Sequence, residues 1–126
     1  MAKDFRRPNL RGIIQDVQTK QRWTDERTKT AELWYYRFLE LAFERDRKPV
    51  YAMARDADTV WHGHMLNSRR YREYCEDVFG GYLDHIPLQP PPRVAEARLR
   101  RAVAVYVEVY GQAPPSPVTC CYVGHS

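Results

Sequence analysis

The sequence has no long apolar run and only three cysteines among its 126 residues. No stretch approaches the roughly 20 apolar residues that a membrane-spanning helix needs, and the charged N terminus lacks the apolar segment of a secretion signal. The cysteines, Cys75, Cys120 and Cys121, are odd in number, and the last two are adjacent, so no structural disulfide is predicted. We therefore expect a cytoplasmic protein that does not associate with a membrane.

The charge balance gives no strong basic signal either. Twenty Lys and Arg residues oppose 16 Asp and Glu residues, and the two signs are interleaved along the chain. This pattern is typical of a soluble surface rather than of a nucleic-acid interface. Arginines cluster around residues 93 to 101, but without a nucleic-acid motif this cluster does not predict nucleic-acid binding.

Apolar and aromatic residues, by contrast, are sufficient for one core. Hydrophobic residues make up 44% of the chain and aromatic residues 13%. A chain of this length is the size of one ordinary domain, and aromatic side chains bury a large area each. A single domain over residues 1 to 115 is therefore expected.

Apolar residues recur at helical spacing in five segments. The second segment begins after Thr24, a good N-cap residue, and Pro49 stops it. The fourth is expected to be capped by Ser68 and to end at Gly80. The fifth covers residues 94 to 110, where alternating valines would also fit a strand. Its length and its Ala, Glu and Arg content favour a helix.

These segments predict an all-α fold, an irregular bundle of four to five helices. Residues 84 to 87 are expected to form a loop, and three prolines at positions 90 to 92 form a stiff Pro-rich connector. Residues 116 to 126 follow further prolines and lack apolar periodicity. They are therefore predicted to form a flexible C-terminal tail outside the domain.

The residues best suited to chemistry lie between Asp56 and His85. Asp58 and His62 are four residues apart and so share one face of a helix. That spacing suits two metal ligands, or a carboxylate that orients a metal-binding imidazole. His64 lies about 200° further round the helix and points elsewhere. Cys75 is on the apolar face of the next helix.

A turn between these helices would allow His62, Cys75 and His85 to meet at one point. Imidazole and thiolate ligands favour zinc, with copper or iron as alternatives. Three protein ligands with one open position are typical of a catalytic site, whereas Asp58 or a tail cysteine in the fourth position would close it. The sequence therefore predicts one transition-metal ion held by His62, Cys75 and His85, with Asp58 orienting or completing the site.

Each of these residues also has a purely structural interpretation. Cys75 can be a small buried hydrophobic residue, His62 a hydrogen-bonded core histidine, and His85 a brace for its loop. Asp56 and Asp58 can act as helix caps. A nucleophilic pair of Cys75 with either histidine is a further alternative, although no glycine-rich oxyanion loop lies beside the cysteine.

Ten residues combine unusual types with a fixed order and spacing, namely Asp58, Trp61, His62, Leu66, Tyr71, Cys75, Phe79, Gly80, His85 and Pro87. In this pattern the chain resembles the glycine-rich domain-containing protein-like family. The resemblance covers about residues 24 to 117 and implies an all-helical domain with a polar set at positions 58, 62, 75 and 85. It implies no established reaction, and this chain lacks the long glycine-rich tail of larger members. In its own tail the chain keeps only three residues that can bind a metal ion, Cys120, Cys121 and His125.

Two functions of different classes follow from these observations. The first is a small metal-binding protein, which as an enzyme would act on a small molecule or a peptide by polarising it or by activating water. The second is a non-catalytic interaction module in which the polar cluster only holds helices together. An exposed aromatic surface would then bind a protein partner or a second copy. Its members would be Trp23, Trp34, Tyr35 and Tyr36.

Overall fold

The computed structural model describes residues 4 to 46, 48, 50 to 87 and 90 to 125, without the side chains at 87 and 120 to 125. Within this part of the chain, no helix combines the length and the apolar character needed to cross a membrane. In the described residues, five helices and three strands follow one another. They are α1 (Ile13–Gln21), α2 (Asp25–Glu44), β1 (Ala52–Ala54), α3 (Arg55–Leu66), α4 (Ser68–Phe79), β2 (Leu83–Pro87), α5 (Pro92–Tyr110) and β3 (Val118–His125).

Several helix ends follow the local signals of the sequence. The Thr24 side chain accepts a hydrogen bond from the backbone N–H of Arg27 at 3.2 Å and caps α2. Gly80 follows α4 with a φ of 74°, a left-handed conformation that glycine adopts without steric penalty. Pro92 begins α5, where its missing N–H is not needed. The last segment is therefore a helix, as its length and composition predict.

Two predicted helix caps are placed differently. Asp56 and Asp58 lie inside the first turn of α3 rather than at its N-cap position. Ser68 is the first residue of α4 instead of its cap. Asp56 accepts two hydrogen bonds from the guanidinium group of Arg27, at 2.8 and 3.1 Å. Its carboxylate therefore joins α3 to α2 instead of capping α3.

A small antiparallel sheet accompanies the helices, with β3 between β1 and β2. Ala52 of β1 is paired with Cys120, and His85 of β2 is paired with Val123. Residues 84 to 87, predicted as a loop, thus belong to a strand. Residues 118 to 125, predicted as a tail without regular structure, form the middle strand. The mostly helical fold with five helices is confirmed, and the sheet is added to it.

The core between these elements is rich in aromatic side chains, which bury much area per residue. Trp23, Trp34 and Tyr35 are only 8%, 5% and 0% exposed, and Tyr36 is partly buried. The prediction that they form an exposed interaction surface is therefore wrong, because these side chains pack into the core or against it. Other fully buried aromatic residues are Phe38, Trp61, Tyr71 and Tyr106.

The close contact between α1 and α3 depends on Gly63. A Cβ atom at this position would lie 2.7 Å from Cγ2 of the buried Val17, well inside normal carbon–carbon contact distance. Alanine is favoured over glycine in a helix by about 1 kcal/mol, but overpacking a core costs about 1 to 3 kcal/mol. We expect Gly63→Ala to lower the free energy of unfolding by about 1 kcal/mol, measured by urea denaturation.

The contact with Val17 can be tested by a double-mutant cycle. Val17→Ala removes the methyl group that a Cβ at position 63 would meet. The double variant Val17→Ala/Gly63→Ala should therefore be more stable than the sum of the two single effects predicts. Strict additivity would contradict the proposed steric cause.

Candidate metal centre

Three polar side chains meet beside α3. Asp58 and His62 lie one turn apart on that helix, and His85 is contributed by β2. One ligand atom of each residue, Oδ1 of Asp58 and Nε2 of each histidine, lies within 4.8 Å of the other two. These residues form an Asp/His/His group that could hold a metal ion.

The separations of these atoms fit a single bound ion. His85 Nε2 lies 2.7 Å from Asp58 Oδ1 and 2.9 Å from His62 Nε2, and His62 Nε2 lies 3.6 Å from Asp58 Oδ1. The circle through the three atoms has a radius of about 1.8 Å, which is shorter than a metal–ligand bond of about 2.1 Å. One ion could therefore be held at bonding distance by all three atoms.

The Nε2 atom of His85 has more neighbours than hydrogen bonding can satisfy. Both Asp58 Oδ1 and His62 Nε2 are within hydrogen-bond distance of it. An imidazole nitrogen either carries one proton or offers one lone pair. No placement of that proton makes both contacts full hydrogen bonds, since the two neighbours must share one donor or one acceptor. A cation at the centre would accept a lone pair from each of the three atoms.

The ring of His85 is held in place by packing. It stacks on Trp61 with ring centroids 4.2 Å apart and an interplanar angle of 12°. The indole N–H of Trp61 donates to the hydroxyl of Tyr71 at 2.9 Å, and that hydroxyl donates to the carbonyl of Leu83 at 2.6 Å. This chain of contacts links α3, α4 and β2, and it fixes the position of His85 relative to His62. The sequence gives no signal of this positioning role.

Solvent reaches the group from the side of His62. The His62 side chain is 55% exposed, compared with 19% for Asp58 and 13% for His85. Metal-binding histidines usually donate their second N–H to an oxygen that orients the ring. In the described part of the chain, Nδ1 of His85 is buried without a hydrogen-bond partner. The ring of His85 is therefore oriented by its stack on Trp61 and not by a hydrogen bond at Nδ1.

Cys75, the fourth predicted ligand, lies apart from the Asp/His/His group. Its side chain is fully buried in the core, close to Tyr71 and to the backbone of Leu83. Burial raises the pKa of this thiol, so the neutral form is favoured over the thiolate that metals and electrophiles require. The structure thus brings three of the four predicted ligands together. Cys75 is outside this group, so the alternative of a nucleophilic pair between Cys75 and His62 or His85 is not supported.

The three other candidate ligands lie in β3. Cys120, Cys121 and His125 belong to this strand by their backbone, and their side chains lie outside the described part of the structure. Their role as additional ligands stays a prediction.

His64 points away from His62, as their spacing predicts. It is 1% exposed, and its Nδ1 lies 2.7 Å from the hydroxyl of Tyr35. Burial lowers the pKa of His64 from 6.5 to about 4, with a smaller contribution from Arg70. The sequence allowed His62 to be a hydrogen-bonded core histidine. In the structure, His64 has that role instead.

The buried imidazole of His64 makes the stability of the fold dependent on pH. The unfolded chain binds a proton at this position near pH 6.5, whereas the folded protein does so only near pH 4. The contribution is complete above pH 6.5 and is lost as the pH falls towards 4. We expect a loss of roughly 3 kcal/mol in the free energy of unfolding over this interval.

Urea denaturation of the wild type and of His64→Asn, in the presence of a chelator, isolates this contribution from that of the carboxylates. The stability difference between the two proteins should shrink by roughly 3 kcal/mol between pH 6.5 and pH 4. A difference that stays constant over this range would contradict the lowered pKa of His64.

The fold and this group together define a mostly helical protein with a candidate His/His/carboxylate metal centre. A family model described as UCP032817-like matches residues 7 to 110, which include all five helices and the whole Asp/His/His group. The chain belongs to the UCP032817-like family. No curated protein and no solved structure is similar enough to the chain to count as a match. The resemblance to the glycine-rich domain-containing protein-like family stays a prediction.

Proposed function

We propose that the protein binds one transition-metal ion through Asp58 Oδ1, His62 Nε2 and His85 Nε2. The observation that carries the proposal is the convergence of these three atoms, with one histidine nitrogen shared between two neighbours. Two imidazoles and one carboxylate form a ligand set used by catalytic zinc sites, and also by iron(II) sites. Zinc is favoured, with iron or copper as alternatives.

The surroundings of the group favour a site with open coordination positions. Three protein ligands leave at least one position for water or a substrate, and the exposed side of His62 gives access to it. A metal ion in such a site lowers the pKa of bound water or polarises a carbonyl group. Asp58 lies in the first turn of α3, where the helix N terminus stabilises its negative charge. We infer that the protein is a metal-dependent enzyme that acts on a small molecule or a peptide.

A second candidate is a non-catalytic protein in which the Asp/His/His group has a purely structural role. The hydrogen bond of 2.7 Å between Asp58 and His85 and the stack of Trp61 on His85 support it. These contacts join α3 to β2 without an ion. The two candidates differ in whether the folded protein binds metal.

Elemental analysis and zinc titration of the purified, untagged protein distinguish these functions. We expect one equivalent of metal, and a dissociation constant below about 1 µM. Asp58→Asn should weaken zinc binding at least about tenfold. Asp56→Asn is the matched control, because Asp56 lies two residues away and is bound to Arg27 instead. If the fully folded protein binds zinc, iron and copper only with dissociation constants above about 1 µM, the result would support the structural role and contradict the metal site.

A further inference from the structure

We propose a second binding site, for a free medium-chain carboxylate, in a cleft between the end of α2 and the middle of α5. The cleft has a volume of about 230 Å³. It combines an apolar lining with two arginines, and this combination is what an amphipathic anion requires. The residues that carry the argument are Leu41, Arg45, Val50, Arg101, Ala102 and Val105, and we refer to them as the carboxylate cleft.

The interior of the carboxylate cleft is suited to an alkyl chain. Leu41 and Val50 are each 4% exposed and Ala102 is 8% exposed, so their side chains provide an apolar wall. An apolar cavity of about 150 Å³ is large enough to bind benzene. The cleft has a larger volume than such a cavity and is open to solvent on one side, so it has room for a medium-length alkyl chain lying along this wall. The small side chain of Ala102 keeps part of this space open.

The charged part of the carboxylate cleft consists of Arg45 and Arg101. Within the described ranges, neither guanidinium group makes a hydrogen bond or an ion pair with another side chain. Arg100, the neighbour of Arg101 on α5, differs because it is paired with Glu96 at 3.0 Å. An unpaired guanidinium binds a carboxylate through two parallel hydrogen bonds. The two arginines thus select a negatively charged head group at an apolar cleft.

Calorimetric titration with octanoate tests this site in the full-length protein. The buffer contains a chelator, so that the carboxylate cannot bind to a metal ion in the Asp/His/His group. We expect a dissociation constant on the order of 10⁻⁴ M for a ligand of this size. Acetate lacks the chain and octan-1-ol lacks the charge, so each should bind at least about tenfold more weakly.

Substitutions distinguish octanoate binding in the carboxylate cleft from general attraction of the anion to a basic surface. Arg45→Gln and Arg101→Gln should each weaken octanoate binding about tenfold, the size expected for a hydrogen bond between charged groups. Arg100→Gln is the matched control, because it changes the same charge on the same helix and should leave binding unchanged. Ala102→Leu, checked for unchanged helicity, should weaken octanoate binding by occupying the space of the chain.

Three results would overturn the proposal. The first is the absence of octanoate binding at millimolar concentration. The second is an equal loss of binding in Arg45→Gln, Arg101→Gln and Arg100→Gln, which would indicate attraction to net charge alone. The third is binding of octan-1-ol as strong as that of octanoate, which would mean that the cleft recognises only the apolar chain.

Discussion

His85→Ala is expected to lower the affinity for zinc at least about 100-fold, because the loss of a residue that merely orients a metal ligand already costs 10- to 100-fold. The remaining atoms, Asp58 Oδ1 and His62 Nε2, lie 3.6 Å apart on one face of α3, where the His62 side chain is 55% exposed. Two such ligands compete poorly with water for the ion. Zinc titration against a chromophoric chelator measures the loss, and circular dichroism checks that the helices remain.

Cys75→Ser and His64→Asn are the controls for this prediction. The ligand set predicted from the sequence includes Cys75, so it requires the serine variant to lose metal. The structure places the thiol in the core and His64 against Tyr35, so both variants should retain zinc with less than about a tenfold change in affinity. Loss of zinc from Cys75→Ser at unchanged helicity would contradict the three-residue group.

Truncation after Pro115 is expected to lower the melting temperature by at least about 10 °C. It removes β3, the partner of both Ala52–Ala54 and Leu83–Pro87. The backbone N–H of Arg55 also loses its hydrogen bond of 2.9 Å to the carbonyl of Pro117. Each backbone hydrogen bond contributes about 1 kcal/mol, and the loss of 1 kcal/mol lowers the melting temperature of a domain this size by about 4 °C. Thermal denaturation followed by circular dichroism gives the value.

A point substitution in β3 tests the same contribution without shortening the chain. Thr119 is paired with Met53 of β1. Thr119→Pro removes one backbone N–H from the middle strand and should be destabilising, whereas Thr119→Val keeps the N–H and a high strand propensity. Because β3 also pairs with the strand that carries His85, the truncated chain should bind zinc more weakly. A melting temperature within a few degrees of the wild type after truncation would contradict the structural role of β3.

The helices could be predicted from the sequence because their signals are local. Thr24, Gly80 and the prolines before α5 act on the backbone next to them, whatever the rest of the fold does. The strands could not be predicted in this way. A strand becomes stable only when a distant segment satisfies its N–H and C=O groups, and β3 lies far along the chain from both of its partners.

The same distinction between local and long-range contacts applies to the candidate metal centre. Helix geometry alone places Asp58 and His62 on one face and directs His64 to another, since residues four apart are stacked and residues two apart are not. Only the tertiary structure adds His85 and separates Cys75. The pairing of β2 with β3 and the stack on Trp61 bring His85 to the helix, whereas the burial of the α4 face draws the thiol into the core. Contacts fixed by the helical repeat are thus determined by the sequence itself, and contacts between elements are determined by how their buried faces and strand edges pack together.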